Sequence, residues 1–194
     1  MMTAGAVLLI SGVHDGKSPP RPSAAQAFPT SADPTGPTVH PLPPADPLRL
    51  RIAAIGVNAP MTRVGLDAAG ALRTPPPDEP GHVGWYGDGT PPGSAGTAVA
   101  TGHVDTPTGD AGVFYDLGTL TEGATIEISR ADRRTAVFTV RAVELYDKAK
   151  FPSEKVYGSS ARPELRLITC GGAYTKRTGY QSNVVVYATL TAVT

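Results

Sequence analysis

Alternation of apolar and polar residues dominates the chain from Leu48 onward. The segments "RLRIAAI" (49–55), "ATIEISR" (124–130) and "ELRLITC" (164–170) place apolar side chains at every second position, which is the spacing of a half-buried strand. The run "NVVVYATLTAV" (183–193) is rich in β-branched residues, which favours a central strand. Turn-forming stretches such as "PPPDEPG" and "GDGTPPGSAG" separate these runs. The pattern predicts a mostly β domain, a closed sheet or barrel of about 150 residues.

Helical patterns are short and few. The best candidates are "AGVFYDLGTL" (111–120) and "FPSEKVYG" (151–158). We therefore expect one or two short helices beside the sheet.

The first 47 residues differ from the rest in composition. Half of the 20 prolines precede Leu48, and this region has too little apolar surface to offset the entropy of ordering it. The sequence therefore predicts a disordered Pro-rich linker in residues 1–47 and one domain in residues 48–194. Ahead of the linker, "AGAVLLISGV" (4–13) is apolar but shorter than the roughly 20 residues of a membrane span. It is interpreted as the remnant of a signal-anchor, with a short apolar terminus as the alternative.

Charge and cysteine content exclude several classes of function. The formal net charge is zero, which argues against a nucleic-acid partner. A single cysteine, Cys170, cannot form an internal disulfide or a multi-cysteine metal site. Cys170 is therefore either a buried small side chain or a reactive thiol.

Of the four histidines, His103 is the best partner for such a thiol. His14 and His40 lie in the Pro-rich region, and His82 lies in a loop rich in proline and glycine. His103 ends the small-residue run "GTAVATGHVD", just as Cys170 ends its own strand pattern beside glycines. Glycines at strand ends allow a substrate backbone to approach closely.

Four stretches in this order resemble the sortases, and among them the actinobacterial class F type, which is close to class E. They are "RLRIAAIGVNAPMTRVGLDAAGALRTPP", "GHVGWYGDGTPPGSAGTAVATGHVD", "GVFYDLGTL" and "RLITCGGAYTKRTGYQSNVVVYA", and together they span most of residues 48–193. The resemblance implies an eight-stranded sortase-type β-barrel. It also implies a cysteine transpeptidase that cleaves an LPXTG-like sorting signal between Thr and Gly, with Cys170 as the nucleophile and His103 as the proton carrier.

The resemblance also implies partners and a location. The substrates would be secreted proteins with a C-terminal sorting signal, and the acceptor an amine on a peptidoglycan precursor or a pilin. The enzyme would work outside the cytoplasm, on the cell-wall face of the membrane, and would meet the membrane only through an N-terminal anchor. No cofactor is expected. No metal is expected either, because "YDKAKFPSEKVYG" carries few carboxylates among its lysines.

The family's third catalytic residue is an arginine before the last strand, and this sequence departs from that pattern. It reads "YQSN" (180–183), so Gln181 or Asn183 stands where the arginine is expected. We assign the role to Arg177, a few residues earlier, because a guanidinium is the better partner for a developing negative charge. The amides of Gln181 and Asn183 remain the alternatives.

Two further residues are substrate-positioning candidates. Asp105 either orients His103 or caps the following turn, and Thr169 lies next to the expected peptide groove. Two other functions stay open at this point. One is an L,D-transpeptidase-like cell-wall enzyme, although "TCGGAY" lacks the arginine expected soon after the cysteine. The other is a non-catalytic β-barrel module on a stalk.

Overall fold

Eight strands close into a barrel in this structure, a computed structural model that describes residues 18–28, 39–68 and 70–194. The strands are β1 (Pro47–Ile52), β2 (Val57–Val64), β3 (Val83–Tyr86), β4 (Gly96–Gly102), β5 (Thr125–Arg130), β6 (Thr135–Asp147), β7 (Pro163–Thr175) and β8 (Gly179–Val193). Their order around the barrel is β1-β2-β3-β4-β7-β8-β6-β5, and β5 pairs again with β1. The prediction of a mostly β, eight-stranded barrel is confirmed.

Two of the neighbouring pairs are parallel, and one of them positions the site. β2 runs parallel to β3, and β4 runs parallel to β7. In the β4–β7 pair, Gly96 is level with Pro163 and Thr101 is level with Ile168. The C-terminal end of β4 therefore lies beside the middle of β7, which continues to Thr175.

The alternation of the sequence accounts for the core. Leu165 and Leu167 of β7 point into the barrel with Ile126 and Ile128 of β5, and all four are fully buried. Outward-facing residues of β4, β6, β7 and β8 form a second apolar cluster, which includes Ile168. This outer cluster is covered by a single-turn helix, α1 (Ser153–Tyr157), through its buried Val156. α1 falls in the second predicted helical segment, whereas the first contains only a 3₁₀ turn at Leu117–Thr119.

Part of the Pro-rich region packs against the barrel. The side-chain amide of Gln26 donates to the carbonyls of Gly118 (2.9 Å) and Leu120 (2.6 Å). Leu42 is buried, and its N–H donates to the carbonyl of Gly93 at 2.8 Å. The guanidinium of the fully buried Arg130 donates to two backbone carbonyls, those of Pro43 and Pro92. The hydrophobic pattern of the sequence does not predict these hydrogen bonds, because their acceptors are backbone carbonyls.

The interpretation of residues 4–13 as a signal-anchor remnant lies outside the described residues. Within the described ranges, no helix combines the length and the hydropathy that crossing a bilayer requires. The same ranges contain no group of three or more His, Cys, Asp and Glu side chains placed to hold a metal ion.

Candidate active site

The end of β4 brings His103 to the level of Cys170, which lies within β7. Thr101 pairs with Ile168, and the hydroxyl of Thr169 donates to the carbonyl of Gly102 at 2.8 Å. The next position along each chain is His103 on one side and Cys170 on the other. Neighbouring strands lie about 4.8 Å apart, so the register carried one step beyond β4 puts the backbone of His103 level with that of Cys170. Both residues are partly buried, and Cys170 is a free thiol.

The imidazole of His103 is held by a backbone carbonyl. Its Nε2 lies 2.8 Å from the carbonyl oxygen of Pro75, in the loop that follows β2. A carbonyl oxygen can only accept, so Nε2 carries a hydrogen, and Nδ1 is the nitrogen left to exchange a proton. The backbone of His103 is also tightly packed, against Gly112. A Cβ at Gly112 would lie 2.4 Å from the carbonyl oxygen of His103, so only glycine fits there.

An uncharged groove of about 710 Å³ leads to the cysteine. Its floor follows β4 from Thr97 through Val99 to Thr101, and Cys170 lies beyond the level of Thr101. Apolar walls come from Leu66 and Leu72 on one side and Phe151 and Tyr157 on the other. Among the described residues that line it, none is an acid, a lysine, an arginine or a histidine. The groove therefore suits an extended, uncharged peptide segment.

The structure does not bring Arg177 to this site. Arg177 is exposed in the turn 176–178, which joins β7 to β8. Thr175, where β7 ends, is five residues beyond Cys170, or about 16 Å along an extended strand. This geometry argues against the arginine role that the sequence suggests for Arg177.

The two amide alternatives occupy different positions. The amide nitrogen of Gln181 donates to the hydroxyl of Thr178 (2.6 Å) and to the carbonyl of Gly179 (2.8 Å), so it is turned toward the hairpin tip. Asn183 is the direct cross-strand partner of Cys170 and lines the groove. Of the three candidates, Asn183 is the one beside the cysteine.

Asp105 has a different partner from the two considered in the sequence analysis. Its Oδ2 accepts a hydrogen bond of 2.5 Å from the hydroxyl of Tyr180. Burial raises the pKa of Tyr180 well above its ordinary value, and the hydrogen bond to Asp105 raises it further, so the phenol stays protonated. Thr169, the other positioning candidate, lines the groove as expected, although its side chain is largely buried and its hydroxyl donates to the carbonyl of Gly102.

Two residues near the cysteine are missing from the sequence-based site. The Nζ of Lys148 lies 3.6 Å from the Sγ of Cys170. Tyr180 connects the β7–β8 hairpin to the loop that begins at His103. Tyr180 lies within the last stretch quoted above, but Lys148 lies outside all four.

Behind the groove, a cluster of rings and charges holds α1 against the barrel. Lys155 of α1 forms an ion pair with Glu144 at 3.1 Å, and its amine faces the rings of Phe28, Tyr146 and Tyr187 at 5.1 to 5.6 Å. Burial alone would raise the pKa of Glu144, but hydrogen bonds from Tyr146 and Lys155 outweigh it, and the pKa lies below its usual value. Phe28 brings the N-terminal segment into this cluster.

Comparison with known proteins identifies the fold and the family. The structure is similar to the SrtA sortase of Actinomyces oris, with a TM-score of 0.58 and 21% identity over 83% of this chain and 89% of that one. It is also similar to sortase A of Listeria monocytogenes, with a TM-score of 0.54 and 16% identity over 77% and 88% of the two chains. No curated protein matches the chain. The family model described as the sortase domain matches residues 50–191, and the chain therefore belongs to the sortase family.

Proposed function

We propose that this sortase is a cysteine transpeptidase that uses Cys170 and His103 on an LPXTG-like sorting signal. The observation that carries the proposal is the shared level of the two residues. His103 directly follows β4, Cys170 lies within the parallel strand β7 beside it, and Cys170 lines an uncharged groove. The family match favours this function over the L,D-transpeptidase-like alternative.

In the first half of the reaction, the Cys170 thiolate attacks the carbonyl carbon of the threonine in the sorting signal. A C–S bond forms, and the Thr–Gly C–N bond breaks as the departing amine takes a proton from Nδ1 of the His103 imidazolium. The product is a thioester on Cys170 and a free amine. The contact between Nε2 and Pro75 keeps the other nitrogen free for this proton.

In the second half, an acceptor amine attacks the thioester and gives its proton to the neutral His103. The C–S bond breaks, a new amide forms, and Cys170 leaves as the thiolate. In both halves negative charge develops on the carbonyl oxygen. The side-chain amide of Asn183, across from Cys170, is placed to donate a hydrogen bond to that oxygen.

The groove supports the choice of substrate. Leu, Pro and Thr are uncharged, and the apolar walls at Leu66, Leu72, Phe151 and Tyr157 suit the first two. We place the enzyme in the class F type, close to class E, on the four sequence stretches given above. Its proposed location is the outer face of the membrane. There, secreted proteins carry the sorting signal, and a peptidoglycan precursor or a pilin supplies the amine.

The test is a peptide-transfer assay with an LPXTG-containing peptide and an oligoglycine amine. The wild-type enzyme is expected to give both the cleaved peptide and the transfer product. Cys170→Ala and His103→Ala are each expected to remove nearly all of both while the circular dichroism spectrum stays unchanged. Substantial activity in either folded variant would contradict the proposed pair.

A further inference from the structure

Lys148 brings a positive charge to the sulfur of Cys170. It is the first residue after β6 and begins the 3₁₀ turn Lys148–Lys150. Asp147, just before it, is level with Ser182 of β8, and its carboxylate accepts from the N–H of Ala149. The carboxylate of the neighbouring Asp147 is thus engaged in the turn. The Lys148 side chain extends over β8 to β7, where its Nζ lies 3.6 Å from the Sγ of Cys170.

Apart from the Asp147 carboxylate, which accepts from Ala149, the other groups on that side of the sulfur are neutral. Asn183 faces Cys170 across the strand pair, Ser182 is opposite Gly171, and Gly172 has no side chain. The Tyr180 hydroxyl is bonded to Asp105 and stays protonated. Arg177 is exposed in the hairpin turn. The cation that reaches the sulfur from the β8 side is therefore Lys148.

We infer that Lys148 is a catalytic residue of the transpeptidation, and this inference rests on the proposed function of Cys170. His103 lies on the β4 side of β7, and Lys148 reaches the sulfur from the β8 side. In this role Lys148 acts through its charge and transfers no proton. Its charge favours a negatively charged sulfur before the attack, and again when the thiolate leaves the thioester.

The test compares Lys148→Met with Lys150→Met, a matched control on the same exposed turn. Acyl-enzyme formation is measured in a single turnover with the sorting-signal peptide. Lys148→Met is expected to slow it by about fivefold, the scale of one ion contact in a solvent-exposed setting. Lys148→Arg is expected to retain most of the rate, because it keeps the charge, and Lys150→Met to match the wild type.

A second measurement reports the charge directly. Cys170 is alkylated with iodoacetate, which is an anion, and with iodoacetamide, which is neutral and similar in size. The ratio of the two rates is expected to fall in Lys148→Met by about twofold or more, because the attraction for the anion is lost. A purely structural role for Lys148 would leave this ratio unchanged.

The outcomes separate this inference from the proposed function. Retained peptide cleavage in Cys170→Ala would overturn the proposed function and this inference with it. An inactive Cys170→Ala together with a Lys148→Met that matches Lys150→Met in acylation and in alkylation ratio would overturn only the role of Lys148. Lys148 is exposed, so unchanged thermal unfolding is expected and excludes a folding defect as the cause.

Discussion

The hydroxyl of Tyr180 donates a hydrogen bond of 2.5 Å to the carboxylate of Asp105, across 75 positions of sequence. Tyr180 begins the return strand of the hairpin that carries Cys170, and Asp105 lies two residues after His103. The bond therefore connects the two elements that carry Cys170 and His103.

Tyr180→Phe removes this connection and keeps the ring. We expect a loss of about 1 kcal/mol in the free energy of unfolding. Turnover is expected to fall by about threefold to tenfold, because the distance between thiol and imidazole is less well held. Tyr174→Phe is the control, since Tyr174 packs on the Tyr180 ring and is exposed. Equal turnover in the two variants would show that the hydrogen bond does not position the site.

The same bond predicts a dependence on alkaline pH. The pKa of Tyr180 is raised in the folded state, so its contribution to stability is complete below the ordinary tyrosine pKa of about 10 and is lost as pH rises toward the folded value. The stability advantage of the wild type over Tyr180→Phe should shrink in urea unfolding between about pH 10 and 12. An advantage that is constant over this range would contradict the assignment.

Variants of Asn183 and Arg177 distinguish the role that the structure favours for Asn183 from the role that the sequence suggests for Arg177. Asn183→Ala is expected to lower turnover by about 10²-fold, the scale of losing one donor to the carbonyl oxygen, with little change in KM. Arg177→Ala is expected to stay within about twofold of the wild type, because the side chain lies in an exposed turn remote from Cys170. The reverse order of effects in steady-state kinetics would restore Arg177 to the role.

The hydrogen bonds of Arg130 predict how much the contacts of the segment before β1 contribute to the stability of the fold. Arg130→Met leaves the carbonyls of Pro43 and Pro92 without their buried donor, and we expect a loss of about 3 kcal/mol in urea unfolding. Arg134→Met is the control, because Arg134 binds the same Asp132 with a side chain that is 42% exposed. If Arg134→Met lowered the free energy of unfolding as much as Arg130→Met does, the effect would come from the lost contact with Asp132 instead.

Asp132 adds a prediction for acid. The hydrogen bond from Arg130 is the main reason that its pKa lies below the usual value. The carboxylate therefore stabilises the fold above its ordinary pKa of about 4, and this contribution is lost as pH falls through the lower folded value. The stability difference between wild type and Arg130→Met should narrow below about pH 4 in acid titrations followed by circular dichroism. A difference that widens there would be inconsistent with this sign.

Phe28 predicts a link between the N-terminal segment and the groove. Its ring packs edge-on against Tyr187 at 4.9 Å and faces the Lys155 amine of α1, while Ser153 and Tyr157 of α1 line the groove. Phe28→Ala should loosen α1 and raise KM for the peptide by about threefold, with turnover unchanged. Leu48→Ala, at another exposed apolar position, serves as the control and should leave KM unchanged.

The sequence predicts the barrel, because period-two patterns such as those around Ile126 and Leu165 report directly which side chains face inward. It places His103 at a strand end for the same reason. The expectation that Cys170 also ends a strand is wrong, because β7 continues to Thr175 in a hairpin with β8. It does not predict Lys148 or Tyr180 in the site, because their partners are 22 and 75 residues away and depend on the order of strands around the barrel. It favours Arg177 because charge is visible in a sequence, whereas the register that places Asn183 opposite Cys170 is not.

The central claim, that Cys170 forms a thioester with the sorting signal, is tested most directly by intact-protein mass spectrometry. The wild-type enzyme is incubated with a library of LPXTG-like peptides without an acceptor amine and is quenched in acid. We predict a mass increase equal to the peptide up to its threonine, located on Cys170, released by hydroxylamine and absent in Cys170→Ala. Peptide cleavage without any such adduct, or an adduct on another residue, would contradict the account.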